Sequence, residues 1–236
     1  MRSKSITFGI AALAIAALGG ATSFAQTSAG EGAVKRIEKL PIDALMLVED
    51  AQGRITFQTP SGRFIIRGQL YDTWGGYLVD SPDAARRSMT TLPMDRVPMA
   101  QLGAITVGAG TDQVVVFVDP LCPHCHRLMA AIDQLVQSSA TRWRFDILVL
   151  PVLGRDSEIA ARQIECAADV DAARTALITG TSPAALQQKP TCDLQHMSNR
   201  LITAQLIGIK GVPLIIAPDG RLQQGVPDNL LMFLEG

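Results

Sequence analysis

Cys122, Pro123, His124, Cys125 and His126 stand together, and their types and spacing allow two kinds of chemistry. Two cysteines separated by two residues can cycle between dithiol and disulfide: the first attacks a disulfide in another molecule, and the second resolves the mixed disulfide that results. The same five residues also spell Cys-x-x-Cys-His, the attachment pattern for a c-type haem. An inert structural bridge between the two cysteines is a third reading, although such bridges usually close longer loops.

The flanking residues favour the redox pair. Val114, Val115, Val116, Phe117 and Val118 form a β-branched and aromatic run too short for a membrane span, and it leads through Asp119-Pro120-Leu121 into the motif. Beyond it, Leu128, Met129, Ile132, Leu135 and Val136 recur at helical spacing. A buried strand thus delivers two cysteines to a helix N-terminus, where unpaired N–H groups and the helix dipole favour an anion. Cys122 is therefore expected to be the attacking thiolate, and Cys125, one turn along the same face, the resolving thiol. Pro123 fits the first helical turn, where its missing N–H costs nothing. His124 lies between the cysteines and can stabilise the thiolate, which makes the disulfide a stronger oxidant. Known pairs of this kind span about 150 mV, or roughly 7 kcal/mol.

Other residues join this chemistry. Gly211-Val212-Pro213 opens a strand-like run, and proline cannot donate to a sheet ladder. A cis Val212-Pro213 bond beside Cys122 would leave the Val212 backbone free to pair with an extended substrate segment; a trans proline on an edge strand is the alternative. Cys166 and Cys192 enclose 25 residues and have neither a second Cys-x-x-Cys nor clustered histidines beside them, so a structural disulfide is expected and no metal site. Asp119 is open to two readings, a surface residue or a proton acceptor for Cys125. Six residues before Cys122 stands Val116, so no carboxylate occupies that position. His126 and His196 are given no role.

Met1-Arg2-Ser3-Lys4, an apolar stretch from Ile6 to about Leu18, and Ser23-Phe24-Ala25 have the three parts of a secretory signal, with cleavage expected after Ala25. Removing residues 1–25 leaves 19 basic against 22 acidic residues, a formal charge of −3, which argues against nucleic acid or an anionic membrane as partner. Four cysteines in an exported chain are compatible with disulfide chemistry.

Along the remaining chain, a short helix is expected at 34–40. Strand-like runs follow at 44–48, 54–59 and 63–71, broken by Glu49-Asp50-Ala51-Gln52-Gly53 and Pro60-Ser61-Gly62. They read as an antiparallel meander whose core is thin enough to call for a second copy of itself or for packing against its own chain. From Ser81 to about Met99, Pro82, Pro93 and Pro98 are scattered without a sustained period, which reads as a linker with one helical turn near Ala84 to Ser88. Strands at 104–107, 114–118 and 143–150, helices at 157–168, 171–178 and 194–207, strands at 212–217 and 221–223 and a helix from Pro227 complete an α/β pattern. Its shape is that of a thioredoxin fold with inserted helices.

On these residues the chain resembles the periplasmic disulfide isomerases of the DsbC/DsbG family over nearly all of its length after residue 25. Gly62 to Asp72 looks like that family's dimerisation strand, Phe117 to His126 like its active-site strand and motif, Cys166 with Cys192-Asp193 like its structural disulfide, and Gly211-Val212-Pro213 with Asp219-Gly220 like its cis-proline hairpin. The resemblance implies an α+β dimerisation domain at 26–80, a linker at 81–100 and an α/β thioredoxin-like catalytic domain at 101–236. It implies a V-shaped periplasmic homodimer that needs no cofactor, takes misfolded exported proteins as clients and is kept reduced by a membrane thiol reductase of the DsbD type. Pro123-His124 and Val212 depart from the isomerases and look like the DsbA oxidases, so a dithiol oxidase on a dimeric frame is the rival function. A redox-linked chaperone is a further one.

Overall fold

The computed structural model describes residues 44–138 and 142–236. The expected signal segment at 1–25 and the helix expected at 34–40 lie outside the described residues.

The first elements among the described residues are β1 (Met46–Glu49), β2 (Ile55–Gln58) and β3 (Ile65–Ile66), an antiparallel sheet in that order. Asp50 forms the first turn, its Oδ1 accepting the N–H groups of Gln52 and Arg54, each at 2.9 Å. The single strand expected over 63–71 is instead divided, because Tyr71 finds its partner downstream. Asp72 Oδ1 accepts from the N–H groups of Trp74 and Gly75 at 2.9 and 2.8 Å, which turns the chain and pairs β4 (Tyr71–Asp72) with β5 (Tyr77–Leu78).

The stretch expected to hold one helical turn forms α1 (Pro82–Thr90), nine residues long. Ser81 caps it by accepting the Ala84 N–H at 3.2 Å, and Pro82 occupies the first turn. Two short 3-10 turns follow at Met94–Arg96 and Met99–Gln101. Leu92, Val97 and Leu102 from this stretch are buried, and Leu92 N–H donates to the Gly220 carbonyl at 2.8 Å. The prolines therefore punctuate a chain that packs against the main sheet.

The main sheet contains β6 (Ile105–Val107), β7 (Asp112–Val118), β8 (Trp143–Val149), β9 (Leu214–Ile216) and β10 (Leu222–Gln224), in the order β10-β9-β7-β8-β6. The central strand β7 runs parallel to β8, from Asp112↔Trp143 to Val118↔Val149, and antiparallel to β9. A strand covered on both faces needs a continuous apolar run, which Val114 to Val118 supplies. Val114, Val116 and Val118 face one cluster with Leu128, Met129 and Ile132 of α2 (Pro123–Ser138). Val115 and Phe117 face another with Leu102, Leu148 and Ala204. The connectivity, β7-α2-β8, then helices, then the hairpin β9-β10 and a closing helix, is that of a thioredoxin-like fold.

The inserted helices are α3 (Arg155–Glu165), α4 (Val170–Thr179) and α5 (Gln195–Leu206). A disulfide joins Cys166 at the end of α3 to Cys192 ahead of α5, with Cα atoms 5.4 Å apart. Replacing both cysteines by alanine is expected to lower stability by about 3 kcal/mol, through the freedom returned to the unfolded chain. The check is the urea midpoint, and an unchanged midpoint would mean that the helices hold this region without the bridge. The last helix, α6 (Leu230–Glu235), starts later than the expected Pro227 because Asn229 Oδ1 caps it, accepting the Met232 N–H at 2.9 Å.

Candidate active site

At the end of β7 the chain turns on Asp119, whose carbonyl accepts the Cys122 N–H at 3.1 Å. The Cys122 carbonyl in turn accepts the His126 N–H at 3.1 Å, which makes Cys122 the cap of α2 with Pro123 as its first residue. The first unpaired N–H groups of the helix are thus presented beside Cys122, as the spacing implies. Both cysteines are free thiols. Cys122 keeps 5% exposure at the surface of the site, and Cys125 lies behind it at 1%. The Asp119 N–H donates to Cys125 Sγ at 3.4 Å.

The Val212-Pro213 peptide bond is cis, and the Val212 carbonyl accepts the Cys122 S–H at 3.8 Å. The Pro213 carbonyl is held from the other side by the Gly225 N–H at 2.8 Å and Gln224 Nε2 at 3.2 Å, so the β9-β10 hairpin secures the loop over the sulfur. Cys122, Cys125, Val212 and Pro213 are thereby brought to one place, whereas Cys166 and Cys192 form their separate link in the helical insert.

The match to known proteins agrees with this geometry. The chain is 25% identical over 211 residues, 84% of its own length and 80% of the relative's, to the thiol:disulfide interchange protein DsbC of Salmonella typhimurium. The chain is similar to the DsbC proteins over most of its length. A probable DsbC of Bordetella avium is 24% identical over 197 residues, 75% of this chain and 66% of the relative. No family model matches the chain. Among solved structures, a disulfide interchange protein from Neisseria gonorrhoeae has a TM-score of 0.48 at 23% identity, covering 59% of this chain and 96% of that one.

Other side chains at the site are less readable from spacing. His124 is exposed, and its Nδ1 accepts from the Arg127 guanidinium at 2.7 Å, since arginine has donors only. His126, to which the spacing assigns no role, braces the loop ahead of α2 through Nε2 and the Pro120 carbonyl at 2.8 Å. Asp119 is fully buried, which removes the surface-residue reading. The haem alternative does not fit: thioether links need both sulfurs open and the histidine nitrogen free, but Cys125 is buried and His126 Nε2 is engaged.

Burial pushes the Cys125 thiol up from its ordinary value. The Asp119 N–H pulls the other way, while the Cys122 side chain and the Asp119 charge add to the rise. The folded dithiol therefore keeps this proton where the unfolded chain gives it up. Its stabilising contribution is fully present below the ordinary thiol value of 9.0 and declines as pH rises beyond it. Between about pH 7 and about pH 10, urea midpoints of the reduced protein are expected to fall more steeply than those of Cys125→Ala. Parallel curves would contradict the buried, protonated Cys125.

Proposed function

We propose that this chain is a periplasmic thiol:disulfide interchange enzyme that acts chiefly as an isomerase, reshuffling non-native disulfides in exported proteins. The observation that carries the proposal is Cys122 Sγ at a helix N-terminus facing the Val212 carbonyl at 3.8 Å, with the buried Cys125 thiol behind it. Cys122 attacks a client disulfide and forms a mixed disulfide. A client segment laid along the Val212 backbone takes over the carbonyl now used by Cys122 and presents its sulfur in line. Another client cysteine then displaces Cys122, which is isomerisation, or Cys125 does so, which is net reduction. A protonated Cys125 delays the second route and favours reshuffling. Pro123 and His124 tune the pair, and the Cys166–Cys192 bridge serves structure.

In this reading residues 1–25 direct export, residues 26–80 form a dimerisation domain, residues 81–100 connect it, and residues 101–236 carry the chemistry. The exposed Ile65, Ile66 and Tyr71 in the N-terminal sheets and hairpin support pairing of two copies there. A membrane thiol reductase of the DsbD type returns the pair to the dithiol. The second reading, a dithiol oxidase of the DsbA kind, draws on Pro123-His124 and on Val212 before the cis proline.

The test is refolding of a multi-disulfide client whose cysteines have been randomly paired, in a glutathione buffer. Recovery of client activity catalysed by the reduced chain is the expected result. Faster oxidation of a fully reduced client, with no effect on the mispaired one, would favour the oxidase and overturn the isomerase.

A further inference from the structure

Asp119 has no part in the exchange steps above, yet it is fully buried and every polar group it carries is engaged. Its Oδ1 accepts the Leu121 N–H at 2.8 Å. Its Oδ2 accepts the Val152 N–H at 2.8 Å, the Leu153 N–H at 3.1 Å and the Ser157 hydroxyl. Its own main chain supplies two more contacts: the carbonyl takes the Cys122 N–H at 3.1 Å, and the N–H points at Cys125 Sγ at 3.4 Å. A buried carboxylate with four donors cannot shift without stranding several of them away from water. The N–H that faces the resolving sulfur is therefore held in place by the loop after β8 and the first turn of α3.

We propose that Asp119 is a positioning residue for the second step of exchange, holding its main-chain N–H on Cys125 Sγ while Cys125 attacks the mixed disulfide. The proposal rests on the exchange reading above. In that step Cys125 releases its proton to water and its sulfur attacks Cys122 Sγ. The Cys122–Cys125 bond forms, the bond from Cys122 to the client breaks, and the client leaves as a thiolate that takes a proton from water. Two electrons have then passed from the cysteine pair to the client disulfide. Charge grows on a sulfur with almost no access to water, and a fixed N–H donor strengthens as its acceptor becomes anionic. The first step places no charge on Cys125, so it gains nothing from this donor.

An aromatic disulfide that releases a coloured thiolate separates the two steps in stopped flow. The reduced full-length chain gives one burst when Cys122 attacks and a second when Cys125 resolves. Asp119→Asn turns an amide donor or a weaker acceptor toward Val152 and Leu153. It is expected to slow the second burst about tenfold, the scale of one charge-assisted hydrogen bond, while changing the first by less than about threefold. Ser157→Ala leaves every contact of the active-site turn in place and removes one grip on Oδ2, and it is expected to slow the second burst by about threefold. Should Asp119→Asn fail to fold, Ser157→Ala carries the test. A second burst at its original rate, or equal slowing of both, would overturn the positioning role. Absence of the first burst in the unsubstituted chain would instead overturn the exchange reading itself.

Discussion

The Cys122→Ser variant is expected to lose exchange with protein disulfides by more than about a thousandfold, the scale on which removal of a catalytic nucleophile acts elsewhere. A hydroxyl at this helix N-terminus ionises far too weakly to attack sulfur, and Cys125 cannot substitute for it. Cys125 is almost wholly buried, its thiol is pushed up by that burial, and its sulfur lies behind Cys122. The complementary variant, Cys125→Ser, keeps the attack and loses the resolving thiol. It is expected to accumulate mixed disulfides with clients, visible as adducts on a non-reducing gel that disappear with reductant. Full activity in Cys122→Ser, or adducts formed equally by both variants, would contradict the assignment of roles.

The largest effect on stability is expected at Arg200, far along the chain from the cysteines. Its guanidinium, 1% exposed, donates to the carbonyls of Val149 at 2.8 Å, Leu102 at 2.7 Å and Gly103 at 3.2 Å, and it pairs with the Glu165 carboxylate. One side chain on α5 thus joins the end of β8, the approach to β6 and the end of α3. Arg200→Ala leaves a mostly buried carboxylate and three carbonyls without their donor, at a cost of about 3–5 kcal/mol. Arg200→Met fills the volume but not the hydrogen bonds and should recover little alone, whereas adding Glu165→Gln removes the stranded charge and should recover part of the loss. Chemical denaturation of the unsubstituted chain, Arg200→Met, Glu165→Gln and the double variant reads this coupling. Additive losses would mean that Arg200 and Glu165 act separately.

The features legible in the amino-acid sequence are local ones. Val114 to Val118 is an unbroken apolar run and the apolar residues after Cys122 recur at helical spacing, both within a few residues, so the strand, the helix and the cysteine pair between them can be read directly. Val212-Pro213 is legible because a proline in an otherwise apolar strand demands an explanation. Arg200 is not, since an arginine in a helical stretch reads as solvent-facing until Val149, Leu102 and Glu165 arrive from distant segments. Asp119 is ambiguous for the same reason: Val152, Leu153 and Ser157 decide its burial. Two elements of the fold are misread for a different cause. Ser81-Pro82 is a good helix start, but Pro93 and Pro98 downstream make the whole stretch look irregular and hide α1. The run from Arg63 to Tyr71 has the composition of one strand, and only the Asp72 turn, which gives Tyr71 another partner, divides it.

Whether the protein works from its dithiol form is read from the state of Cys122 and Cys125 inside cells. Acid quenching, alkylation of free thiols and the resulting mass shift report it in one experiment. Both cysteines are expected to be alkylated while Cys166 and Cys192 stay paired. Isolation of the chain with Cys122 joined to Cys125 would contradict that expectation and identify a protein that donates disulfides instead of reshuffling them.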